Sequence, residues 1–386
     1  MFKITTLNKI SPVGLDRLPD DFTLTEDPGE AHGIIVRSHD MHDIKFSNNL
    51  LAIARAGAGT NNIPVERCSE NGIVVFNAPG ANANAVKELV ISAMFLAARN
   101  IPDAIDWTKT LKKDVAKEVE NGKAMFAGTE IKGKTLGIIG LGYIGVLVAN
   151  TAEKLGMTVI GHDPFIHVKA AHELSNKIPI TRELDELLPK CDYLSIHVPA
   201  IDSTKEMIDS SKFSKMKKGV CFLNFSRSNL VNEKDLFEAI ETGIVNKYIT
   251  DFPNDNLIGK KGVICIPHLG ASTEEAEETC AIMAADQLVD YLENGNIANS
   301  VNFPTAVMGP FDYSGALCRV CIMNRNIPAM LAKITGILAH INIRDMINKS
   351  KGNYAYTMID IDSEISAEEL IESLSFAGII AVRVIK

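Results

Sequence analysis

The residues of this chain that could do chemistry begin with three glycines. Gly140, Gly142 and Gly145 follow an apolar run, residues 136–139, and precede a helix-forming run, residues 146–155. In a strand, turn and helix of this kind the first glycine permits a tight turn and the second lets backbone approach a pyrophosphate. The third lets the helix pack close to the strand, and the free N–H groups of the helix N-terminus face the phosphate. A second apolar run, residues 157–161, then delivers Asp163. A carboxylate at that strand end accepts hydrogen bonds from both ribose hydroxyls and repels a 2′-phosphate, so the pattern predicts NAD rather than NADP. An ordinary glycine-rich turn accounts for the glycines alone; it does not account for strand, helix and acid in register.

A bound nicotinamide makes hydride transfer the default chemistry, which needs an acid/base for the alcohol proton and a cation near the developing carbonyl or carboxylate. His197, Arg227, Asp251, Asp255 and His268 each come shortly after an apolar run, at 193–196, 221–224, 247–250 and 263–266. Open α/β sheets bind ligands beyond the carboxyl ends of their strands, so these side chains are expected along one edge. No metal site is expected. Cys318 and Cys321 are spaced as a redox or metal pair, but they lie in an alternating run, residues 317–323, where positions three apart face opposite sides of a strand.

The elements that must position these groups follow from hydrophobic periodicity. Residues 1–78 alternate short apolar runs (3–7, 33–36, 51–54 and 73–76) with polar connections, a βα rhythm. Residues 84–99 read as one long, mostly buried helix, and a second αβ series runs from Thr135 to residues 263–266. After His268 another helix opens with Ser272 and Glu275 spaced as a capping box and closes near Gly295. Residues 300–314 read as a linker, and the remainder as strand (317–323), helix (328–340), strand (343–349), strand (354–362), helix (367–376) and strand (379–385). The predicted fold class is therefore α/β: two doubly wound parallel-sheet domains, Rossmann- or flavodoxin-like, plus a C-terminal ferredoxin-like βαββαβ domain. The expected domains are 1–80 with 272–305 for substrate, 81–271 for NAD, and 315–386 for regulation or oligomerisation.

At 386 residues, 46% hydrophobic and 23% charged, the chain has the composition of a soluble globular protein of two or three domains. Its net charge of -9, with the densest basic cluster only Lys212 to Lys218, argues against a nucleic-acid partner. An anionic substrate would need local cations, which directs attention to Arg37, Arg55 and Arg227. Seven cysteines at irregular spacings fit reduced thiols and a cytoplasmic location. Neither a signal-peptide pattern nor an apolar stretch long enough to span a bilayer is visible, so no membrane partner is expected.

The segments Leu223-Asn-Phe-Ser-Arg-Ser-Asn-Leu-Val-Asn-Glu233, Pro267-His-Leu-Gly-Ala-Ser-Thr273 and Ala54-Arg-Ala-Gly-Ala-Gly-Thr-Asn61 resemble the D-isomer-specific 2-hydroxyacid dehydrogenases across about residues 30 to 305. The resemblance implies that His268 takes the C2 hydroxyl proton, that Asp255 hydrogen-bonds the imidazole and raises its basicity, and that Arg227 holds the substrate carboxylate. Most relatives carry Glu where Asp255 stands, so the shorter side chain requires its loop to sit closer to His268. The usual Arg-Gly-Gly is here Arg227-Ser-Asn. The resemblance further implies that Asp251 contacts the nicotinamide carboxamide and that Ala78, Tyr143, Ile144, Val198, Phe225, Ser226 and Gly270 line the cofactor. It points to Arg37, Ser38, Arg55 and Asn82 for the substrate's phosphate end.

The terminal segment resembles an ACT regulatory domain. With it, the expected reaction narrows to NAD-dependent oxidation of 3-phospho-D-glycerate to 3-phosphooxypyruvate, the entry to L-serine synthesis. Serine-binding relatives carry a His-x-Asn-x-Pro-Gly turn where this chain has Asn324-Arg-Asn-Ile-Pro-Ala329, keeping Asn326 but neither the His nor the Gly. The domain is thus expected either to bind L-serine as an effector or to build a homo-oligomer, a dimer or tetramer. Two other functions remain open at this level: a dehydrogenase for another D-2-hydroxy acid, or for 2-oxoglutarate reduction, and a non-catalytic NAD-sensing module.

Overall fold

The structure, a computed structural model, describes residues 1–312, 318–363 and 366–386. The end of the expected linker, Tyr313 and Ser314, and Leu317 at the start of the predicted strand lie outside the described residues. The chain divides into two compact units, Met1–Asn82 with Glu274–Lys386, and Ala83–Thr273.

In the first unit, strands β1 (Phe2–Leu7), β2 (Phe22–Leu24), β3 (Gly33–Val36), β4 (Ala52–Arg55) and β5 (Val74–Phe76) form a five-stranded parallel sheet in the order β2-β1-β3-β4-β5. The apolar runs 33–36 and 73–76 form strands because both faces of such a sheet are covered and continuous apolar sequence is tolerated. One cover is the helix Glu274–Asn294. It turns Cys280, Ala281, Ala284, Ala285, Leu288, Tyr291 and Leu292 toward Ile4, Ile35, Ala54 and Phe76.

The second unit holds seven strands: β6 (Thr135–Ile139), β7 (Thr158–His162), β8 (Ile180–Thr181), β9 (Tyr193–Ile196), β10 (Val220–Asn224), β11 (Val245–Thr250) and β12 (Val263–Cys265). All pairings are parallel, in the order β12-β11-β10-β9-β6-β7-β8. The order reverses between β6 and β9, and the crevice beyond that switch point is where an open α/β sheet takes its ligand. The helix Ala83–Ala98 packs its Val86, Val90, Ala93, Met94 and Ala97 into the core beneath the sheet.

The first unit also carries β13 (Cys318–Arg325), β14 (Ile343–Lys351), β15 (Tyr354–Ile361) and β16 (Ile379–Ile385), an antiparallel sheet in the order β14-β15-β13-β16. Helices Met330–Ile337 and Ala367–Ser373 complete the βαββαβ order. Cys318, Val320 and Ile322 face a core with Ile334 and Leu370 from these helices. Cys321, Met323, Tyr354, Tyr356 and Met358 lie in the same core as Phe76, Tyr291 and Phe303. The alternation places the two cysteines in different cores, and both are free thiols. Among the described residues there is no cluster able to hold a metal ion and no helix long and apolar enough to cross a membrane.

Candidate active site

The turn after β6 is built by its glycines. Gly140 has φ +94°, open to glycine at little cost, and a Cβ there would meet the His197 carbonyl at 2.7 Å. A Cβ on Gly145 would stand 1.9 Å from the Gly140 carbonyl oxygen, so the helix Tyr143–Lys154 reaches the turn only because position 145 is bare. Asp163 fixes the loop from the next strand end, its Oδ2 accepting the Leu141 N–H at 2.8 Å and its Oδ1 the Phe165 N–H at 2.8 Å. A Cβ on Gly142 would meet nothing within 4 Å, which leaves the helix N-terminus open to a phosphate. These residues fit a dinucleotide: bare backbone, free N–H groups and an acid at the second strand end. Tyr143 is exposed beside them and Ile144 half-buried.

Along the carboxyl ends of β9, β10 and β11 lies a row of polar groups. His197 follows β9. Its Nε2 lies 2.9 Å from the Ser195 hydroxyl, its Nδ1 is buried with no partner among the described residues, and burial pushes its pKa down to about 4. Val198 beside it is half-buried. After β10, Phe225 enters the core, the Ser226 hydroxyl donates to the Ile196 carbonyl at 2.8 Å, and Arg227 is exposed. After β11 comes Asp251, only 1% exposed, accepting the N–H of buried Gly270. Burial raises its pKa, opposed by the positive charges of nearby His268 and Arg227. Asp251 Oδ1 has no hydrogen-bond partner among the described residues.

His268 is exposed, with the Phe252 ring tilted against its imidazole at 4.8 Å between centroids. The expected hydrogen bond from the His268 imidazole to Asp255 is not formed in this structure, and Asp255 is exposed. The local reason is visible on either side of it. Asn254 Nδ2 donates to Glu233 Oε2 at 2.6 Å and Asn256 Nδ2 to Glu233 Oε1 at 2.7 Å, which anchors the loop to the start of the helix Glu233–Glu241.

The four residues assigned to the phosphate end, with Ala78, belong to the first unit. Arg37 follows β3 and donates to Glu277 at 2.6 Å, while Arg55 Nε donates to the Arg37 carbonyl at 3.1 Å. The N–H groups of Ser38 and His39 donate to Asn8 Oδ1 at 2.9 and 2.7 Å. Ala78 is fully buried, its N–H bonded to the Gly57 carbonyl at 2.9 Å, and Asn82 is half-buried. Arg37 and Ser38, after β3, and Arg55, at the end of neighbouring β4, therefore lie at adjacent strand ends.

Sequence reasoning missed Asn224, Tyr248, Glu233 and Glu277. Asn224 lies inside a segment quoted for its resemblance, yet its partners are a turn and a neighbouring strand. Glu233 closes the same segment, but its partners Asn254 and Asn256 lie in a distant loop, and Tyr248 and Glu277 carry no local signal at all.

A glycine turn open to phosphate at a sheet's switch point, with a histidine, an arginine and a buried carboxylate beyond adjacent strands, is the arrangement that dinucleotide-dependent oxidoreductases use. Residues 91–270 match the family model "D-isomer specific 2-hydroxyacid dehydrogenase, NAD binding domain". The chain belongs to the D-isomer-specific 2-hydroxyacid dehydrogenase family.

Among curated relatives it is 38% identical to D-3-phosphoglycerate dehydrogenase of Methanocaldococcus jannaschii over 267 residues, 68% of this chain and 49% of that one. The chain thus matches about half the length of that relative. It is 32% identical to D-3-phosphoglycerate dehydrogenase 2 of Saccharomyces cerevisiae over 378 residues, covering 91% of this chain and 77% of the yeast protein. Of solved structures, the NAD+-bound 3-phosphoglycerate dehydrogenase of Entamoeba histolytica is similar with a TM-score of 0.61 and 27% identity, over 78% of this chain and 98% of that one.

Proposed function

We propose that this chain oxidises 3-phospho-D-glycerate to 3-phosphooxypyruvate with NAD, the first step of L-serine biosynthesis. The observation that carries the reading is the row of Arg227, buried Asp251 and His268 beyond the carboxyl ends of neighbouring β10, β11 and β12, on the sheet that bears the open glycine turn. Its relatives' names supply the substrate. NAD, when bound, supplies the hydride acceptor. Arg227 grips the substrate carboxylate with its planar fork and polarises the C2 oxygen. His268 takes the C2 hydroxyl proton on an imidazole nitrogen and returns it in the reverse direction. Asp251 offsets the charge that appears on His268, and Asp255 is assigned the part of the family's acidic residue. Arg55 and Arg37, with Ser38 and Asn82, take the phosphate.

The work is assigned to a cytoplasmic homo-oligomer, a dimer or tetramer, whose terminal domain either binds L-serine as an effector or builds the oligomer interface. A second reading has one observation in its favour: Arg37 already carries Glu277 as counter-ion, which weakens its claim on a phosphate and suits an unphosphorylated D-2-hydroxy acid.

NADH formation with 3-phospho-D-glycerate, D-lactate and D-2-hydroxyglutarate separates the two, and L-serine added to the same assay tests the effector. The phosphorylated acid is expected to give the largest kcat/KM, and His268→Ala to lower kcat by roughly a hundredfold or more. Faster turnover of an unphosphorylated acid overturns the substrate; turnover of no acid overturns the enzyme.

A further inference from the structure

We infer that Asn224 is a positioning residue that sets the direction from which Arg227 reaches the substrate. The inference rests on the carboxylate-binding role proposed for Arg227. Asn224 is the last residue of β10 and is fully buried, yet it carries a carboxamide where its strand neighbours are apolar. A buried amide is retained only when its donors and acceptor are used. Here Oδ1 accepts the Ser226 N–H at 3.2 Å, and Nδ2 donates to the Arg227 carbonyl at 2.9 Å and to the Tyr248 hydroxyl at 3.3 Å. One side chain therefore ties down the turn both before and at Arg227. The far end of the amide is referenced to β11, whose Tyr248 is itself buried and, with its pKa pushed up to about 12, stays a neutral phenol.

Arg227 has need of such a fixture. It is exposed, no acidic side chain pairs with it among the described residues, and its NH1 folds back onto the Ser226 carbonyl at 2.6 Å. The guanidinium is thus held by its own turn, and a small rotation at the root of a long side chain becomes a large displacement at its tip. Misplacement of a substrate-gripping group by about 1 Å can cost up to roughly a hundredfold in rate. Ser226 has a second anchor, its hydroxyl on the Ile196 carbonyl, so the cofactor side of the turn survives the loss of Asn224.

The test uses the full chain with Asn224→Ala, Tyr248→Phe and Arg227→Lys, measuring KM and kcat for the hydroxy acid and, by fluorescence titration, the dissociation constant of NADH. Asn224→Ala is expected to raise the hydroxy-acid KM about tenfold and Tyr248→Phe about threefold, with NADH binding unchanged. If Asn224→Ala does not fold, Tyr248→Phe decides by the same measure. An unchanged acid KM in these variants, or a parallel loss of NADH affinity, overturns the inference while Arg227→Lys remains impaired. An Arg227→Lys enzyme with the parent's KM instead overturns the carboxylate role, and the inference with it.

Discussion

Two histidines at neighbouring strand ends show how surroundings divide one residue type into different jobs. His268 is open to solvent with the Phe252 ring against it, whereas His197 is kept neutral by burial, its Nε2 beside the Ser195 hydroxyl. His197 therefore bears on stability. Its folded-state pKa of about 4 lies below the ordinary 6.5, so between those values the unfolded chain binds the additional proton. Its contribution is complete above the unfolded pKa and is lost as pH falls toward 4, by at most about 3 kcal/mol. Replacing it by Asn should flatten the pH dependence of the urea midpoint across that window. Equal slopes for parent and His197→Asn would show that the imidazole is not the group responsible.

At the scale of elements, the notable contact is the end of the long helix Glu274–Asn294. The last carbonyls of a helix lack intrahelical donors and carry partial negative charge. Here they are met by the terminal sheet. Arg319 donates to the Asn294 carbonyl at 2.8 Å and Tyr356 to Gly295 at 2.7 Å, while Arg383 bonds the carbonyls of Tyr291 and Leu292. Arg319 is 1% exposed and also forms a two-pronged pair with Asp360 at 2.6 and 2.8 Å. Arg319→Met should cost about 3–5 kcal/mol, because it strands the Asp360 carboxylate and a helix carbonyl together. Adding Asp360→Leu should recover part of that loss. A single variant as stable to urea as the parent would mean that the clamp contributes nothing net.

For the first unit as a whole, the C-terminal antiparallel sheet shares a hydrophobic core with the five-stranded sheet: Cys321, Met323, Tyr356 and Met358 lie with Phe76, Tyr291 and Phe303. Hydrogen bonds from Tyr354 to Glu66 at 2.7 Å and from Lys351 to the Ser300 carbonyl at 2.9 Å extend the contact. A module docked in this way should not melt by itself, since its loss would expose both faces of a shared core. Calorimetry of the full chain should show no separate low-temperature transition for residues 318–386, and a chain ended at Pro310 should aggregate or unfold at lower temperature. A folded 1–310 chain with the parent's midpoint would contradict this.

Much of this was legible in the amino-acid order. The glycine turn, Asp163, the buried parallel strands and the βαββαβ order were readable because each depends on residues adjacent in sequence or at a fixed period. So was the placement of Arg227 and His268 shortly beyond strand ends. The absence of an Asp255 bond to His268 was not legible, because Glu233 anchors that loop from another helix. Nor were the brace of Arg227 by Asn224 and Tyr248, the pairing of Arg37 with Glu277, and the capping of a helix by Arg319 and Arg383. The sequence by itself determined which backbone can turn, which segments are buried, and which family's chemistry is available. Tertiary structure alone decided which charges are paired and which amides are held, because those energies depend on distance and desolvation between groups that the chain order leaves far apart.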